Sequence, residues 1–411
     1  MMQLHREFGP VASFWWGTER VVSVASPERW KEISRHVERP VELFALFEPL
    51  MGEQSLHFAD SQEAARRKKA YVEPAFNHVA MRNIEMIFAE VAAETVQAWR
   101  SAEIVPAYSN AVNASMKCLA RSTFGDSIEA TSELEELELA YSTCWRDFEI
   151  RLSGSFPEKG SYRHKAFVSA KKVLVDTSRR LLRQRQEEDG QGKCFLDYMN
   201  QVEETNSTEP VSMLVEGVHT TGALIAWALW HLAANPTIQE RMHSELVEVL
   251  GSRTFPCMSD MSRLSYTNAV ISETLRHAVI TPWAARFSYE IATVGSYSVP
   301  PCTPIIHALG VVLQDEYIWP NVREFDPERF LRADVIAARP PLAFSPFGFA
   351  GRRSCPAQRY AQVQACIILS AIVKTLALRP AKGQEAPVPV HGLVTVPSQE
   401  FYLEVKERSR E

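Results

Sequence analysis

The sequence predicts a mostly α-helical protein with a small β region. From about residue 80 to 280, apolar residues recur at the spacing of amphipathic helices. Alternating apolar and polar residues are confined to the start of the chain, the stretch 284–310 and the tail, so the β region is expected to come from both ends of the chain. Since 46% of the 411 residues are apolar and no linker stands out, we predict one domain over residues 1–411.

The first elements follow from short local patterns. The stretch VASFWWGTERVVSVAS alternates apolar and polar residues and predicts two strands around a turn at Gly17-Thr18. PERWKEISRHV then predicts a helix with Pro27 in its first turn, where the missing N–H of proline costs nothing. Helical periodicity is clearest in four longer stretches: MIFAEVAAETVQAWR, HKAFVSAKKVLVDTSRRLLRQRQEE, VSMLVEGVHTTGALIAWALWHLAANP and TIQERMHSELVEVL.

The later elements combine strands with one core helix. FSYEIATVGSYSVPPCTPIIHALG predicts strands, and a proline-rich region follows it. AQRYAQVQACIILSAIVKTLAL carries apolar residues on all sides, which is typical of a buried helix. The tail, LVTVPSQEFYLEV, again predicts strands.

Charge and cysteine usage exclude several classes of protein. The net charge is −6 and no long basic run occurs, so we expect no nucleic-acid partner. The seven cysteines are scattered without a C-x-x-C pair, which argues against a zinc site or a disulfide framework and favours a reducing compartment. The opening MMQLHREFGP is neither a signal peptide nor a membrane anchor. We therefore expect the N-terminal membrane anchor to be absent from this chain.

The loop FSPFGFAGRRSCPAQRYA holds a single cysteine, Cys355. Because a proline and then a helical pattern follow it, we expect Cys355 near the helix N-cap and Pro356 near the first helical position. The positive end of the helix dipole would stabilise a thiolate there. Gly348 and Gly351 would let the loop approach a flat cofactor, and Arg353 could reach a carboxylate on that cofactor. A buried structural cysteine is the alternative.

Two further segments predict a buried charge network. Glu273 and Arg276 in ISETLRHAV are three residues apart and share a helix face. Arg329 lies between Pro327 and Phe330 in WPNVREFDPERFL. Such a glutamate and two arginines could form a bidentate network near the cysteine loop. Taken alone, each motif could be a solvated surface group, but their order before the cysteine loop favours the network.

A fourth segment, LVEGVHTTGALIAWALW, is a long apolar helix that contains polar residues. Gly217 lies in its middle, and a glycine there costs up to about 1 kcal/mol. It therefore indicates either close packing of helices or a ligand that lies against the backbone. The nearby His219, Thr220 and Thr221 favour a lined pocket.

Taken in order, the helix with Gly-x-x-Thr, the E-x-x-R motif, P-E-R-F and the cysteine loop resemble the cytochrome P450 family of haem-thiolate monooxygenases. The resemblance covers nearly the whole chain. The wording of HALGVVLQDEYIWPNVREFDPERF and GFAGRRSCPAQRYA is most similar to the metazoan family-20, subfamily-A group. The resemblance implies the cytochrome P450 fold, an α-helical prism around a buried haem b. It also implies the cytosolic face of the endoplasmic reticulum membrane, or the cytoplasm if the missing anchor is genuine.

The resemblance also assigns roles to individual residues. Cys355 would be the proximal ligand of the iron, and Thr220 the oxygen-activating threonine. Glu273, Arg276 and Arg329 would form the structural triad of the family. The residues implied to bind haem, three of them through its propionates, are Cys355, Gly351, Gly217, Phe349 and the basic Arg353, Arg286 and Lys69.

The chain departs from the family pattern in the cysteine loop and before the basic cluster. Gly348 stands where phenylalanine is usual, with Phe347 and Phe349 on either side, and Ala357 replaces a glycine. Ala65 stands where a tryptophan usually contacts a propionate. These departures bear on haem affinity more than on the fold.

The helix above the haem departs as well. The acid usual before the threonine has become His219, and Glu216 stands where a small residue normally faces the iron. Glu216 and Thr220 are four residues apart and share a helix face. We expect Glu216, partly desolvated, to donate protons beside Thr220, with His219 as a secondary relay. Glu216 could instead pair with a basic neighbour or point to solvent, or it could bind the iron and block oxygen.

The implied activity inserts one oxygen atom from dioxygen into a small apolar organic substrate, with electrons from an NADPH-dependent cytochrome reductase. No G-x-G-x-x-G follows a strand, so the reductase is expected to be a separate protein, and the enzyme a monomer. Arg352, Lys68 and Arg67 are candidate docking charges, and a solvated basic surface is the alternative for each of them taken singly. Expected pocket walls are the helix face 214–225 and the segments 279–285 and 51–58.

Two other functions stay open at this point. One is a catalytically degenerate haem-binding protein that acts as a sensor or carrier. The other is a haem enzyme that uses peroxide or isomerises its substrate and needs no reductase.

Overall fold

Helices dominate the computed structural model, which describes residues 1–128, 131–187, 192–199 and 208–408. Within these ranges the α-helices are α1 (Met2–Phe8), α2 (Pro27–Ile33), α3 (Val41–Phe44), α4 (Glu48–Met51), α5 (Ser61–Arg67), α6 (Glu73–Ala75), α7 (His78–Arg100), α8 (Ala107–Phe124), α9 (Thr131–Leu152), α10 (Tyr162–Glu187), α11 (Glu209–Ala234), α12 (Pro236–Leu250), α13 (Ser265–Ala278), α14 (Leu309–Leu313), α15 (Ala333–Ala338) and α16 (Gln358–Thr375). The strands are β1 (Val11–Trp16), β2 (Glu19–Val24), β3 (Ile104–Pro106), β4 (Ala284–Arg286), β5 (Ala292–Val294), β6 (Tyr297–Val299), β7 (Ile305–His307), β8 (Leu376–Pro380), β9 (Pro389–His391), β10 (Thr395–Pro397) and β11 (Tyr402–Glu407).

The chain divides into two compact units. The first comprises Met1–Pro40, Phe88–Ala114 and Thr220–Glu411, and the second comprises Val41–Ile87 and Ser115–His219. All strands that the structure describes belong to the first unit, and the described part of the second is helical. The single domain over residues 1–411 stays a prediction.

A four-stranded sheet with the order β1-β2-β7-β4 organises the first unit. β1 and β2 form the hairpin predicted at the start of the chain, and Gly17 turns between them with φ 62°, which glycine adopts at no steric cost. β2 pairs in parallel with β7, and β7 pairs in antiparallel with β4. A second sheet, β3-β11-β8, contains the predicted strand of the tail.

Helix α2 follows the hairpin and begins at Pro27, as predicted. Its N-cap is Ser26, whose Oγ accepts the N–H of Arg29 at 3.3 Å. Trp30 is buried in the core beside the sheet, and its indole N–H donates to the carbonyl of Val24 at 2.9 Å. The helix therefore presents a fixed aromatic ring at the edge of the sheet.

Helix α16 ends earlier than its apolar pattern predicts. The helix stops at Thr375, and Leu376 begins β8. The backbone of β8 pairs with β11, where Leu376 lies opposite Glu407, and the amide of Leu378 donates to the side chain of Gln239. The strand pairing takes over from the helix because these tertiary partners satisfy the same backbone groups.

Aromatic rings fill the core of the second unit. Helices α9 and α10 pack against each other, and Phe47 stacks on Phe148 of α9 with ring centroids 4.6 Å apart. The rings of Phe76 and Phe195 lie 4.8 Å apart. The first contact attaches the segment before α4 to α9, and the second joins the residue that follows α6 to the short 3-10 helix Phe195–Tyr198.

Two glycines of α11 lie close to α8. A Cβ atom on Gly222 would lie 2.8 Å from the Cα of Val112, and one on Gly217 would lie 2.5 Å from a δ-methyl of Leu119. Close packing of helices, one of the two explanations offered for Gly217, is therefore present. Its contact with haem stays a prediction.

The two glycines are expected to differ when replaced by alanine. Gly222→Ala should lower the free energy of unfolding by about 1–3 kcal/mol, because backbone atoms of Val112 cannot move aside. Gly217→Ala should be tolerated, because the Leu119 side chain can change rotamer and alanine favours the helix by up to about 1 kcal/mol. Urea unfolding of the two variants measures the difference. Equal losses of stability would show that Leu119 is as immobile as the Val112 backbone.

Candidate functional site

The cysteine loop is a closed turn that leaves Cys355 exposed. Gly348 and Gly351 adopt φ angles of 80° and 49°, which allow the chain to reverse twice within a few residues. The N–H of Cys355 donates to the carbonyl of Phe347 at 2.9 Å and closes the loop. The exposed thiol, and not a buried one, is the arrangement that suits a ligand.

Cys355 lies close to the N-terminus of α16, as predicted, but outside its first turn. Helix α16 begins at Gln358 with Ala357 as its N-cap, so Cys355 and Pro356 precede it. A residue before proline avoids the helical conformation, and the amide of Cys355 is used to close the loop. The helix dipole, which acts mainly within the first turn, therefore contributes less at the thiol than expected.

A cluster of arginines lies beside this loop. Arg286, the last residue of β4, is only 6% exposed, and its Nη2 donates to the carbonyl of Arg353 at 3.0 Å. Its Nη1 donates to the carbonyl of Ala285, and its Nε has no hydrogen-bond partner within the described parts of the chain. Burial, together with the cations Arg39 and Arg353, lowers the pKa of Arg286 to about 9. Because no described carboxylate forms an ion pair with Arg286, the cluster suits a bound anion.

Sequence analysis missed Arg39 as a member of this cluster. Its segment reaches β4 because the N–H of Phe287 donates to the carbonyl of Glu38 at 2.9 Å, in an isolated antiparallel bridge. The two bridge residues lie far apart in the chain, at positions 38 and 287. No local pattern in the sequence signals this pairing.

Phe349 of the cysteine loop is covered on two sides by rings. It stacks on Trp30 with centroids 4.7 Å apart and on His307 with centroids 4.4 Å apart. Burial and the nearby cation of Arg286 lower the pKa of His307 to about 3, so this imidazole is neutral at physiological pH. His307 is a second residue that sequence analysis missed. The stack supports the loop rigidly, and contact of Phe349 with haem stays a prediction.

The predicted charge network is confirmed. Glu273 and Arg276 are fully buried and bonded in a bidentate pair, with Nε–Oε2 at 2.7 Å and Nη2–Oε1 at 2.8 Å. Arg329 approaches Glu273 Oε1 with its Nε at 3.4 Å. Arg329 also donates to the carbonyls of Pro320 and Asn321, and Arg276 donates to that of Leu313. The network thus ties α13 to the segment that precedes the cysteine loop.

Two of the polar residues predicted on α11 lie in different surroundings. The carboxylate of Glu216 is 53% exposed, and its Oε1 lies 3.1 Å from Nδ1 of His57. This arrangement agrees with the alternative in which Glu216 pairs with a basic neighbour. His219 is buried and stacks on Trp145 with centroids 4.0 Å apart, and burial lowers its pKa to about 3. A neutral, stacked imidazole favours packing, whereas the proton relay stays a prediction.

The residues of the basic cluster before α6 also lie in different surroundings. Lys69 is exposed on the π-helical turn Lys68–Val72, and its contact with a propionate stays a prediction. Arg67 is buried, and its guanidinium contacts Glu63 at 2.6 Å and Glu209 at 3.3 Å. Its predicted role as a surface docking charge is therefore wrong. Nothing is described of the Arg352 side chain.

A comparison with protein families explains this set of features. The family profile Cytochrome P450 matches residues 1–405. The chain belongs to the cytochrome P450 family. It is a haem-thiolate monooxygenase, an oxidoreductase whose cofactor is haem b and whose reaction requires dioxygen and a redox partner.

Several relatives match nearly the whole chain. Cytochrome P450 20A1 of Rattus norvegicus is 26% identical over 99% of this chain and 87% of the rat protein, and the Homo sapiens protein gives the same identity and the same coverage. Mitochondrial sterol 26-hydroxylase of Mus musculus is 31% identical over 59% of this chain and 47% of its own length. The resemblance to the family-20, subfamily-A group is confirmed.

Solved structures confirm the fold. The cytochrome P450DA haem domain superposes with a TM-score of 0.87 at 19% identity, covering 99% of this chain and 92% of that domain. A second cytochrome P450, CYP102L1, also gives 0.87, at 22% identity, with 99% and 97% covered. In the residues described here, no helix combines the length and the apolar character that crossing a membrane requires.

The residues of the first unit fit a haem. Arg286 is a buried cation with which no described carboxylate forms an ion pair, and the propionates of haem b supply carboxylates. Cys355 presents an exposed sulfur on a loop whose glycines leave room for a flat ring. Both features fit a thiolate-ligated haem whose acid groups would be held by the arginine cluster.

Glu209, the first residue of α11, carries a prediction about pH. Its pKa is raised to about 7, chiefly by burial, while the opposing attraction of Arg67 is shared with Glu63. Because the pKa of the folded state exceeds the ordinary 4.5, the contribution of Glu209 to the free energy of unfolding is largest at low pH. This contribution is lost as the pH rises from about 4.5 to about 7, and the free energy of unfolding falls by about 3 kcal/mol.

Glu209→Gln is expected to remove this loss. Urea unfolding at about pH 5 and about pH 8 should show a smaller decline in the variant than in the wild type. Glu240→Gln serves as a control, because Arg408 holds the pKa of Glu240 below its ordinary value and the sign is opposite. A decline of the same size in the wild type and in Glu209→Gln would contradict a raised pKa at this site.

Proposed function

We propose that this cytochrome P450 inserts one oxygen atom into a small apolar organic substrate, with electrons from a separate NADPH-dependent reductase. The observation that supports the haem site is the buried Arg286, which has no carboxylate partner among the described residues, beside the exposed Cys355 loop. The absence of a G-x-G-x-x-G motif supports a separate reductase, since the chain has no flavin or nicotinamide fingerprint of its own. Lys68, which is partly exposed, supports a docking role better than the buried Arg67.

The residues of this chain divide the work as follows. When bound, thiolate-ligated haem supplies the activation of dioxygen. Cys355 would hold the iron, while Arg286 and Arg353 would bind carboxylates of the cofactor and fix its orientation. Gly351 would allow backbone to lie close to the ring, and the stacked Phe349 would keep the loop rigid.

Proton delivery is assigned to the α11 residues. Glu216 and Thr220 are one helical turn apart, so a proton held on the Glu216 carboxylate can pass along the helix face to the Thr220 hydroxyl. The exposed carboxylate can take up protons from solvent, and His57 at 3.1 Å limits its orientation. His219 would serve as a secondary relay, in which its neutral imidazole accepts a proton at one ring nitrogen and releases one from the other.

The expected localisation is the cytosolic face of the endoplasmic reticulum membrane, with the chain acting as a monomer. The support is the family-20, subfamily-A resemblance. Fractionation of cells that express the protein tests the localisation, and sedimentation of the purified protein tests the monomer.

Reconstitution with haem, reductase and NADPH tests the activity. Incorporation of ¹⁸O from ¹⁸O₂ into a product, coupled to NADPH consumption, is the expected result. Product formed from peroxide alone, or no NADPH consumption with any substrate of an apolar panel, would overturn the proposal.

Glu216→Ala tests the proton assignment in the same assay. Loss of coupling, seen as more hydrogen peroxide per NADPH, with an unchanged resting spectrum is the expected result. A shifted spectrum with gained activity would show that Glu216 instead blocks the iron. Unchanged turnover, peroxide release and spectrum would show that Glu216 has no role in the reaction.

A further inference from the structure

Two carboxylates of α11 form hydrogen bonds with one loop of the second unit. The segment 52–58, which we call the 52–58 loop, places Leu56 and His57 next to each other. The amide of Leu56 donates to Oε1 of Glu209 at 2.8 Å, and Nδ1 of His57 lies 3.1 Å from Oε1 of Glu216. Because Glu209 and Glu216 are seven residues apart, they lie on the same helix face about two turns from each other.

Glu209 collects several donors in a buried place. It is 3% exposed, and the same Oε1 also accepts from the hydroxyl of Tyr71 at 3.1 Å and from Nη1 of Arg67 at 3.3 Å. Nη1 of Arg67 donates in addition to the carbonyl of Gln54 in the 52–58 loop. Glu209 therefore holds the loop directly at Leu56 and indirectly at Gln54.

Glu209 is not the only carboxylate that balances the positive charge of Arg67. Its Nε contacts Glu63 at 2.6 Å. The charged or titratable groups that face Glu209 are thus Arg67, Tyr71 and Glu216, and Glu63 balances the arginine from the other side. A neutral side chain at position 209 leaves Arg67 with an acidic partner.

His57 has little freedom to turn. Its ring is 9% exposed and meets Phe44 at 5.2 Å, Phe47 at 5.4 Å and Phe58 at 5.0 Å between centroids. These three rings fix the direction of Nδ1. The half-exposed carboxylate of Glu216 is long and flexible, and a hydrogen bond to a fixed imidazole restricts its rotamers.

We propose that Glu209 is a positioning residue: by fixing the 52–58 loop it holds His57 against Glu216 and so orients the Glu216 carboxylate. The inference rests on the proposed function, in which Glu216 delivers protons. Glu209 itself touches no reacting atom. It acts through two hydrogen bonds, one to the loop backbone and one from the loop to Glu216.

Hydrogen exchange of the haem-replete, full-length protein tests the first link. In Glu209→Ala the amide of Leu56 loses its acceptor, and its exchange is expected to be about tenfold faster. Glu209→Gln keeps an acceptor oxygen and should exchange like the wild type. Tyr71→Phe is the matched control, because it removes a hydrogen bond to Glu209 without touching the 52–58 loop. Unchanged exchange in Glu209→Ala would overturn the inference.

Peroxide release per NADPH tests the second link. Glu209→Ala and His57→Leu should each raise it, and the double variant should release no more than the larger single effect, because both act through one contact. Glu209→Gln should restore low release. These outcomes are judged only if Glu216→Ala raises peroxide release. Additive effects of the two substitutions would then overturn the inference. Normal peroxide release from a Glu209→Ala protein whose Leu56 amide exchanges faster would overturn it as well.

Failure of the proposed function gives a different pattern. If Glu216→Ala leaves peroxide release unchanged, the assignment of proton delivery to Glu216 is wrong. The exchange of Leu56 then decides the link between Glu209 and the loop by itself. Faster exchange in Glu209→Ala, rescued in Glu209→Gln, would support that link, and its absence would overturn it.

Discussion

Cys355→Ser is expected to abolish the thiolate-type absorption of the reduced, carbon-monoxide-bound protein completely. Cys355 is the exposed cysteine of a loop closed by its own amide and lies beside the arginine cluster. A serine hydroxyl ionises far less readily than a thiol, so it cannot supply the same ligand. The difference spectrum, recorded together with haem content, measures the effect even where the variant retains haem.

The other cysteines serve as controls for this spectrum. Burial raises the pKa of Cys144 and Cys366 to about 12 and that of Cys194 to about 11, so these side chains stay thiols. Cys366 lies in α16, the helix that follows the loop. The Cys366→Ser variant should keep the thiolate spectrum. A thiolate signature that persisted in Cys355→Ser would assign the iron ligand to another residue.

Arg276→Ala is expected to lower the free energy of unfolding by about 3–5 kcal/mol, enough to yield apoprotein or aggregate. The variant would leave Glu273 buried with the longer contact to Arg329 and the N–H of Asp326, and it would strand the carbonyl of Leu313. Haem content after purification and urea unfolding measure the loss. Catalysis per bound haem should change less than the yield of haem-replete protein.

An exposed ion pair gives the matched control for Arg276. Lys172 and Asp176 are four residues apart on α10, with side chains 76% and 49% exposed. Lys172→Ala should retain haem and unfold like the wild type, because exposed pairs contribute little. A soluble, haem-replete Arg276→Ala protein of normal stability would show that the charge network does not stabilise this fold.

Local pattern was enough to predict most elements, and motif order was enough to predict the charge network. The hairpin at Gly17, the start of α2 at Pro27 and the Glu273–Arg276 pair each depend on neighbours in sequence or on one helix face. The end of α16 was missed, because an apolar run suits a buried helix and a buried strand alike. There the pairing with β11 decided the outcome.

The parts of the candidate site that sequence reasoning missed depend on contacts between distant segments. Arg39 joins Arg286 through a single bridge between Glu38 and Phe287. His57 contacts Glu216, which lies 159 positions later in the chain. A loop has no periodicity that records which helix it will touch, so neither pairing could be predicted from local residue types.

Arg286, a buried cation with which no described carboxylate forms an ion pair, links the supply of cofactor to the lifetime of the protein. A buried cation raises the free energy of the folded apoprotein, whereas a ligand that binds only the folded state lowers it in proportion to the logarithm of its free concentration. The abundance of this cytochrome P450 in a cell should therefore follow the local concentration of haem. When haem is scarce, the chain spends more of its time unfolded, where proteases remove it.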